Sequence, residues 1–210
     1  MMANQLKTGT TTVGIVCKNG VVLAADMRAT AGTMIVDKKA EKVQMISDDF
    51  AVTWAGTVSD AQLMTRLAKA ELKLKEVRTG KSPSTKEAAN LLAGLQYSGI
   101  RRPSMFLAIA HFLLAGRDTQ GVHLYDLFPD GSVTKISDYV SSGSGSVFAY
   151  GVLETNYDAN LSVEQGIQLA IKAINTALQR DSASGNGITV VVVNAEGVKR
   201  VMRKELVATL

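Results

Sequence analysis

The hydrophobic period of this chain switches four times, in an order that few folds accept. Residues 11–18 and 21–26 are β-branched and apolar, and Asn19-Gly20 between them suits a type I′ hairpin turn. Two more strands are expected at 43–46 and 50–54, turning through Ser47-Asp48-Asp49. Val58, Ala61, Met64, Ala68 and Leu72 then recur at helical spacing, with Ser59 and Gln62 as a capping-box pair. A second helix starts near Ser84, with Glu87 at the capping position and Ala88, Leu91, Leu92 and Leu95 on one face; residues 80–83 part the two helices. Strand signals return at 105–115, 122–128 and 133–140, with Pro129-Asp130-Gly131 as a turn. Helices follow at 146–157 and from Ser162, the latter capped by Gln165 and turning Val163, Ile167, Ile171, Ile174 and Leu178 inward. Strands at 188–193 and 198–202 close the chain. Grouped strands and paired helices mean α+β, with helices covering both outer faces of a two-sheet stack. No linker and no repeat divides the 210 residues, so one domain is expected.

The charge excludes some functions. A net charge of +4 is mildly basic, but the charges are dispersed. Glu71, Lys73, Lys75 and Glu76 interleave as a solvated helix face, and no arginine-rich run occurs, so nucleic-acid binding is not expected. The single Cys17 cannot form an internal disulfide and sits in an apolar strand as a small core residue. Residues 1–9 are too short and polar for a signal peptide. The longest apolar stretch, 105–114, contains His111 and is too short to span a bilayer. A soluble cytoplasmic protein is the expectation.

His111 and His123 lie in strand patterns without neighbours at metal-ligand spacing, and read as satisfied strand histidines. No GxSxG elbow, Walker A sequence or GxGxxG strand–helix turn is present. Gly143-Ser144-Gly145-Ser146 alone reads as a flexible turn. Gly9-Thr10-Thr11-Thr12 joins a short polar tail to the first strand. Threonine favours strands, so the run has a plain structural reading. It also has a chemical one. A threonine at a chain terminus carries its hydroxyl beside a free α-amine whose ordinary pKa is about 7.7–8.0, close enough to neutral to act as base. That chemistry requires the peptide bond between Gly9 and Thr10 to be cut first, because an amide nitrogen is no base.

Four strings carry a resemblance. TGTTTVGI at 8–15, ADMRAT at 25–30, GSGSVFAYGVLE at 143–154 and RDSASGNGI at 180–188 resemble, in order and near spacing, the motifs of proteasome β-subunits of the archaeal and eukaryotic type. The resemblance covers essentially the whole chain. It implies the N-terminal nucleophile hydrolase fold, a four-layer αββα sandwich of two antiparallel sheets flanked by helix pairs. Residues 1–9 would be a propeptide and 10–210 the mature domain.

By that resemblance Thr10 is the nucleophile of a threonine endopeptidase. Lys42 is the cation beside it, and Asp26 holds that ammonium. Gly56 supplies an oxyanion-hole N–H, and Ser144, Asp181 and Ser184 form the supporting polar cluster. Ala29, Ala40, Gln44, Trp54 and Val58 would line the specificity pocket, implying a preference for large apolar residues. Trp54 departs from the smaller apolar residue usual there, and Met27 from a usual arginine. The implied partners are other β-subunits in a seven-membered ring, rings of α-subunits, an ATP-driven unfoldase and unfolded polypeptides. No cofactor or metal is implied. The competing readings are an inactive structural β-subunit, another hydrolase of the same fold, and a basic binding module without catalysis.

Overall fold

The computed structural model describes residues 9–104 and 107–206. The tail 1–8 and the first two residues of the strand expected at 105–115 lie outside the described residues. The elements are β1 (Thr12–Cys17), β2 (Gly20–Asp26), β3 (Ala29–Ala31), β4 (Met34–Asp37), β5 (Val43–Met45), β6 (Phe50–Gly56), α1 (Val58–Thr79) and α2 (Thr85–Arg101). They continue with β7 (Ala110–Asp118), β8 (Gly121–Leu127), β9 (Val133–Ile136), β10 (Tyr139–Ser142), α3 (Ser146–Asn156), α4 (Val163–Arg180), β11 (Gly187–Asn194) and β12 (Gly197–Glu205).

Two five-stranded antiparallel sheets stack face to face. One has the order β10-β1-β2-β11-β12, the other β5-β6-β7-β8-β9. Each central strand is buried on both faces, which explains its nearly unbroken apolar run. On β2, Val22 and Ala24 join the cluster under α3 and α4, while Val21, Leu23 and Ala25 face the other sheet. On β6, Phe50, Val52 and Trp54 pack with α1 and α2, and Ala51 faces inward. Three apolar layers between four structural layers make the αββα sandwich that the sequence led us to expect.

Helix ends follow local chemistry where the chemistry is local. Ser84/Glu87 and Ser162/Gln165 both close reciprocal capping boxes. Ser59/Gln62 does not: α1 starts two residues earlier, at the cap Thr57, whose N–H donates to Ile109 O, and Ser59 lies within the helix. On α4 only Ile174 of the five expected inward residues is fully buried; Gly166, Leu169, Ala170, Ala173 and Ala177 make the closest contact, and Val163, Ile167, Ile171 and Leu178 flank it. Small residues let this helix sit down on the sheet.

Three strand expectations need correction. The first hairpin turns at Lys18-Asn19, but neither Asn19 nor Gly20 has positive φ, so the turn is not type I′. Gly20 is a strand residue whose missing Cβ would stand 2.7 Å from Val193 O, so close strand packing requires the glycine. The strand expected over 133–140 is two strands in different sheets: β9 pairs with β8, and β10 with β1. The chain crosses between them at Ser137-Asp138, where Asp138 O accepts from Val16 N–H. The strand expected from 105 begins at Ala110, and the small β3–β4 hairpin was not anticipated.

Candidate active site

The first residues of β1 lie where β2 ends, so sheet register alone carries Thr10 to Asp26. Thr12 pairs with Ala25, and one step further Asp26 N–H donates to Thr11 O while Thr11 N–H donates to Asp26 Oδ1 at 3.0 Å. Asp26 is fully buried and satisfied. Oδ1 also accepts from Lys42 Nζ at 2.8 Å, and Oδ2 accepts the backbone N–H groups of Arg28 and Gly185, each at 2.9 Å. A carboxylate removed from water persists only with such donors.

Lys42 comes from the segment leading into β5, tied to β6 by the Trp54 N–H donating to Lys42 O. Its side chain is 1% exposed. Burial pushes its pKa below the usual 10.5, and the attraction of Asp26 offsets this only in part. Besides Asp26, its ammonium donates to the carbonyl of Gly9 at 3.2 Å. That same oxygen accepts the hydroxyl of Thr10 at 2.6 Å. The Gly9–Thr10 peptide therefore carries a lysine and its own neighbour's hydroxyl on one carbonyl.

On the amide side, Thr10 N–H donates to Ser144 Oγ at 3.3 Å. Ser144 gives its proton to Asp181 Oδ2 at 2.6 Å, and Ser184 gives its own to the same oxygen at 2.6 Å. Each serine has one proton, so the 2.7 Å contact between Thr11 Oγ1 and Ser184 Oγ has Thr11 as donor. A directed chain thus runs from Thr10 N to Asp181 and back to Thr11. The turn before α3 fits against it closely: a Cβ on Gly143 would stand 2.1 Å from Thr10 O, and one on Gly145 2.0 Å from Thr11 Oγ1. This is why glycine and serine alternate there.

Gly56 ends β6 opposite Ala110, with φ +116, two residues beyond the Trp54 that binds Lys42 O. Of the residues expected in a specificity pocket, Ala29 and Ala40 are buried and Ala40 N–H donates to Met27 O. Gln44 and Val58 are half-buried. Trp54 is buried in the cluster beneath α1 and α2, its indole N–H donating to Glu41 O at 3.2 Å. Met27, too, is buried.

The sequence reading did not single out Thr11, Arg28, Gly185 or Thr30, whose hydroxyl accepts Gly9 N–H at 3.1 Å. The threonine run, the ADMRAT string and, for Gly185, the RDSASGNGI string hinted at them. The remaining candidates sit elsewhere. His111 pairs with Asp126 and His123 with Asp118 on the second sheet. Cys17 is buried under α4, its thiol pushed up to about 11 by burial and so protonated and inert. Among the described residues no group of His, Cys, Asp and Glu is placed to hold a metal, and no helix is long and apolar enough to cross a membrane.

Comparison with known proteins places the chain. A family model described as proteasome subunit matches residues 6–193. A protein named proteasome subunit beta from Methanocaldococcus vulcanius is 43% identical over 203 residues, 96% of this chain and 89% of that protein. One of the same name from Ferroglobus placidus is 40% identical over 210 residues, all of this chain and 98% of the relative. Another, from Methanocaldococcus fervens, is 44% identical over 192 residues, 91% and 84% of the two chains.

Proposed function

Because this chain belongs to the proteasome subunit family, we propose that it is a catalytic β-subunit of the 20S core, a threonine endopeptidase that frees its own nucleophile by cutting between Gly9 and Thr10. One observation carries the reading: the Thr10 hydroxyl and the Lys42 ammonium converge on the carbonyl of Gly9.

Maturation comes first. The Thr10 Oγ1–C bond to Gly9 forms as the hydroxyl proton leaves, and the carbonyl oxygen becomes an oxyanion beside the Lys42 ammonium. The oxyanion then returns to a carbonyl as the C–N bond breaks, the nitrogen of Thr10 takes up the proton that left the hydroxyl, and Gly9 is held as an ester. Water adds to that ester and releases the tail 1–9 as a carboxylate. Burial loosens the proton of Lys42, which suits it to exchange that proton with the reacting groups.

In the matured chain the nitrogen of Thr10 is a free amine at the head of the chain through Ser144 to Asp181. It takes the proton of Oγ1 as that oxygen adds to a substrate carbonyl, and passes it to the leaving amine. An acyl ester forms and water cleaves it. Gly56 is the proposed oxyanion donor; at φ +116 a Cβ there would stand 2.2 Å from Ile109 O, so the close approach of that neighbouring backbone requires the glycine. Ala29, Ala40, Gln44, Trp54 and Val58 are the proposed lining of the side-chain pocket, with large apolar residues preferred. A peptide panel cut best after acidic residues would defeat that preference.

The family assembles in rings with other proteasome subunits. For this chain we propose seven-membered β rings between α rings, fed by an ATP-driven unfoldase in the cytoplasm. The decisive test follows the chain terminus by mass and Edman sequencing. Wild-type assembled protein is expected to begin at Thr10, and Thr10→Ala to keep residue 9 attached and cleave no peptide. Spontaneous loss of residues 1–9 from the Thr10→Ala chain would refute self-cleavage.

A further inference from the structure

Between Asp181 and β11 the chain makes a tight loop, and four of its residues, Asp181, Ala183, Ser184 and Gly185, meet the site. Asp181 Oδ2 holds Ser144 and Ser184. Ala183 lies so close to Gly9 that a Cβ on the glycine would stand 1.8 Å from its own. Gly185 N–H donates to Asp26 Oδ2, and Gly185 O accepts Met27 N–H. Yet the loop is not part of a strand or helix. Asn186, at φ 64, holds the backbone in the left-handed region that only glycine adopts freely.

One side chain ties the loop down. Arg28 Nε donates to Asn186 Oδ1 at 2.8 Å, and Nη1 donates to Ser182 O at 2.8 Å. Between these bonds the guanidinium lies against Gly185: a Cβ there would stand 2.3 Å from Arg28 Cζ and Nη2 and 2.5 Å from Nε. The backbone N–H of the same arginine donates to Asp26 Oδ2 at 2.9 Å. Arg28 therefore joins both halves of the site, the Asp26–Lys42 pair through its main chain and the Asp181–Ser184 loop through its side chain.

We infer that Arg28 is a positioning residue for the reaction at Thr10: its guanidinium pins the 181–186 loop so that Asp181, Ser184 and the Gly185 N–H stay in register with Thr10 and Asp26. The inference rests on the reading of Thr10 given above. It needs the planar fork and not charge alone, because a lysine has no flat face to lie on Gly185 and no second donor held at a fixed angle. Reacting groups displaced by about 1 Å lose on the order of a hundredfold in rate, so a slack loop costs turnover more than binding.

The test uses assembled particles of the full chain with its ring partners, comparing wild type with Arg28→Lys, Arg28→Gln, Asn186→Gly, which removes the Oδ1 acceptor while keeping a residue at ease at φ 64, and the Arg28→Gln/Asn186→Gly double variant. Two rates are read: release of residues 1–9 by mass, and turnover of a fluorogenic peptide with a large apolar residue before the cut. Both Arg28 variants are expected to slow self-cleavage and to lower kcat by roughly tenfold to a hundredfold with KM little changed. Asn186→Gly should cost less, and almost nothing further in the Arg28→Gln background. Wild-type rates in Arg28→Lys particles, or additive losses in the double variant, would overturn the inference; the lysine arm decides alone if the glutamine variant yields no particles. Inert wild-type particles that keep their tail would instead refute the reading of Thr10.

Discussion

The corner around Thr10 and the outer face of α1 each hold a lysine–carboxylate pair of nearly the same length, 2.8 Å for Lys42–Asp26 and 2.9 Å for Lys73–Glu76. The Lys42 side chain is 1% exposed and that of Lys73 is 70% exposed. The two amines shift in opposite directions. Burial drives Lys42 below the usual 10.5, whereas the hydrogen bond to Glu76 raises Lys73 above it. Bond length therefore says little about what an ion pair does. Water sets the terms: it screens one pair at the surface, and its exclusion leaves the other with a lysine whose proton is held less tightly. The pH dependence differs in sign as well. Lys42 binds its proton less tightly folded than unfolded, so its burdening of the fold eases as pH climbs from its lowered value toward 10.5. Lys73 supports the fold below 10.5 and loses that support as pH rises through its raised value. Titration of the two amines by lysine-labelled NMR would break the contrast if both shifted the same way.

The largest difference should appear on deleting the buried lysine. Lys42→Ala is expected to lower self-cleavage and peptide turnover by about a thousandfold. It leaves Asp26 buried without its cation, so it should also destabilise the subunit by about 3–5 kcal/mol. Rates per assembled particle, read beside a thermal unfolding scan, separate the two effects. Particles with full activity would show that the buried pair is only a structural tie.

A smaller loss is expected from the other half of the corner. Asp181→Asn keeps the shape of the side chain but removes the charge that accepts from Ser144 and Ser184. Turnover of the matured enzyme should fall by about a hundredfold, because the hydrogen-bond chain that orients the Thr10 amine through Ser144 loses its charged acceptor. Comparing its kcat with that of Lys42→Ala in one assay ranks the two halves.

What the sequence made legible follows the same divide between local and distant causes. Ser84 with Glu87, and Ser162 with Gln165, could be read because a capping box closes within four residues. Thr10 and Asp26 stood out because the strings around them resemble those of a family, and Lys42 because its spacing from Thr10 matches the same resemblance. Thr11, Arg28 and Gly185 escaped notice because their parts in the site depend on partners far along the chain, as when Thr11 meets Ser184 and Arg28 meets Asn186. The division of 133–140 between β9 and β10 escaped for the same reason: its apolar pattern is continuous, and only pairing with β8 on one side and β1 on the other parts it. The β3–β4 hairpin left no signal, since all four residues of β4 are exposed and Met34-Ile35-Val36 shows no alternation. That the Trp54 indole packs under α1 and α2 was not legible either, since family correspondence speaks only of the pocket this position would line.

On the outer face, pH is the sharper probe. Glu87 caps α2 through Ser84 and meets Lys75 of α1, and these contacts hold its carboxyl down from 4.5 to about 2. A depressed carboxylate supports the fold above 4.5 and loses that support as pH falls through about 2. Glu87→Gln retains the cap geometry and removes the charge. Its thermal midpoint should therefore fall less steeply than that of wild type between 4.5 and about 2, while activity at neutral pH stays the same.

The smallest effect belongs to Lys73→Ala. Glu76 loses its partner, but both side chains stand in water, where solvent replaces the lost contact. Alanine also suits a helix at least as well as lysine does, so the backbone of α1 gives nothing up. No change in turnover and no resolvable change in unfolding midpoint are expected, at low salt or high. A loss of particle assembly in this variant would contradict the contrast drawn between the two faces, because it would show that Lys73 is covered in the ring and that its exposure belongs to the isolated subunit alone.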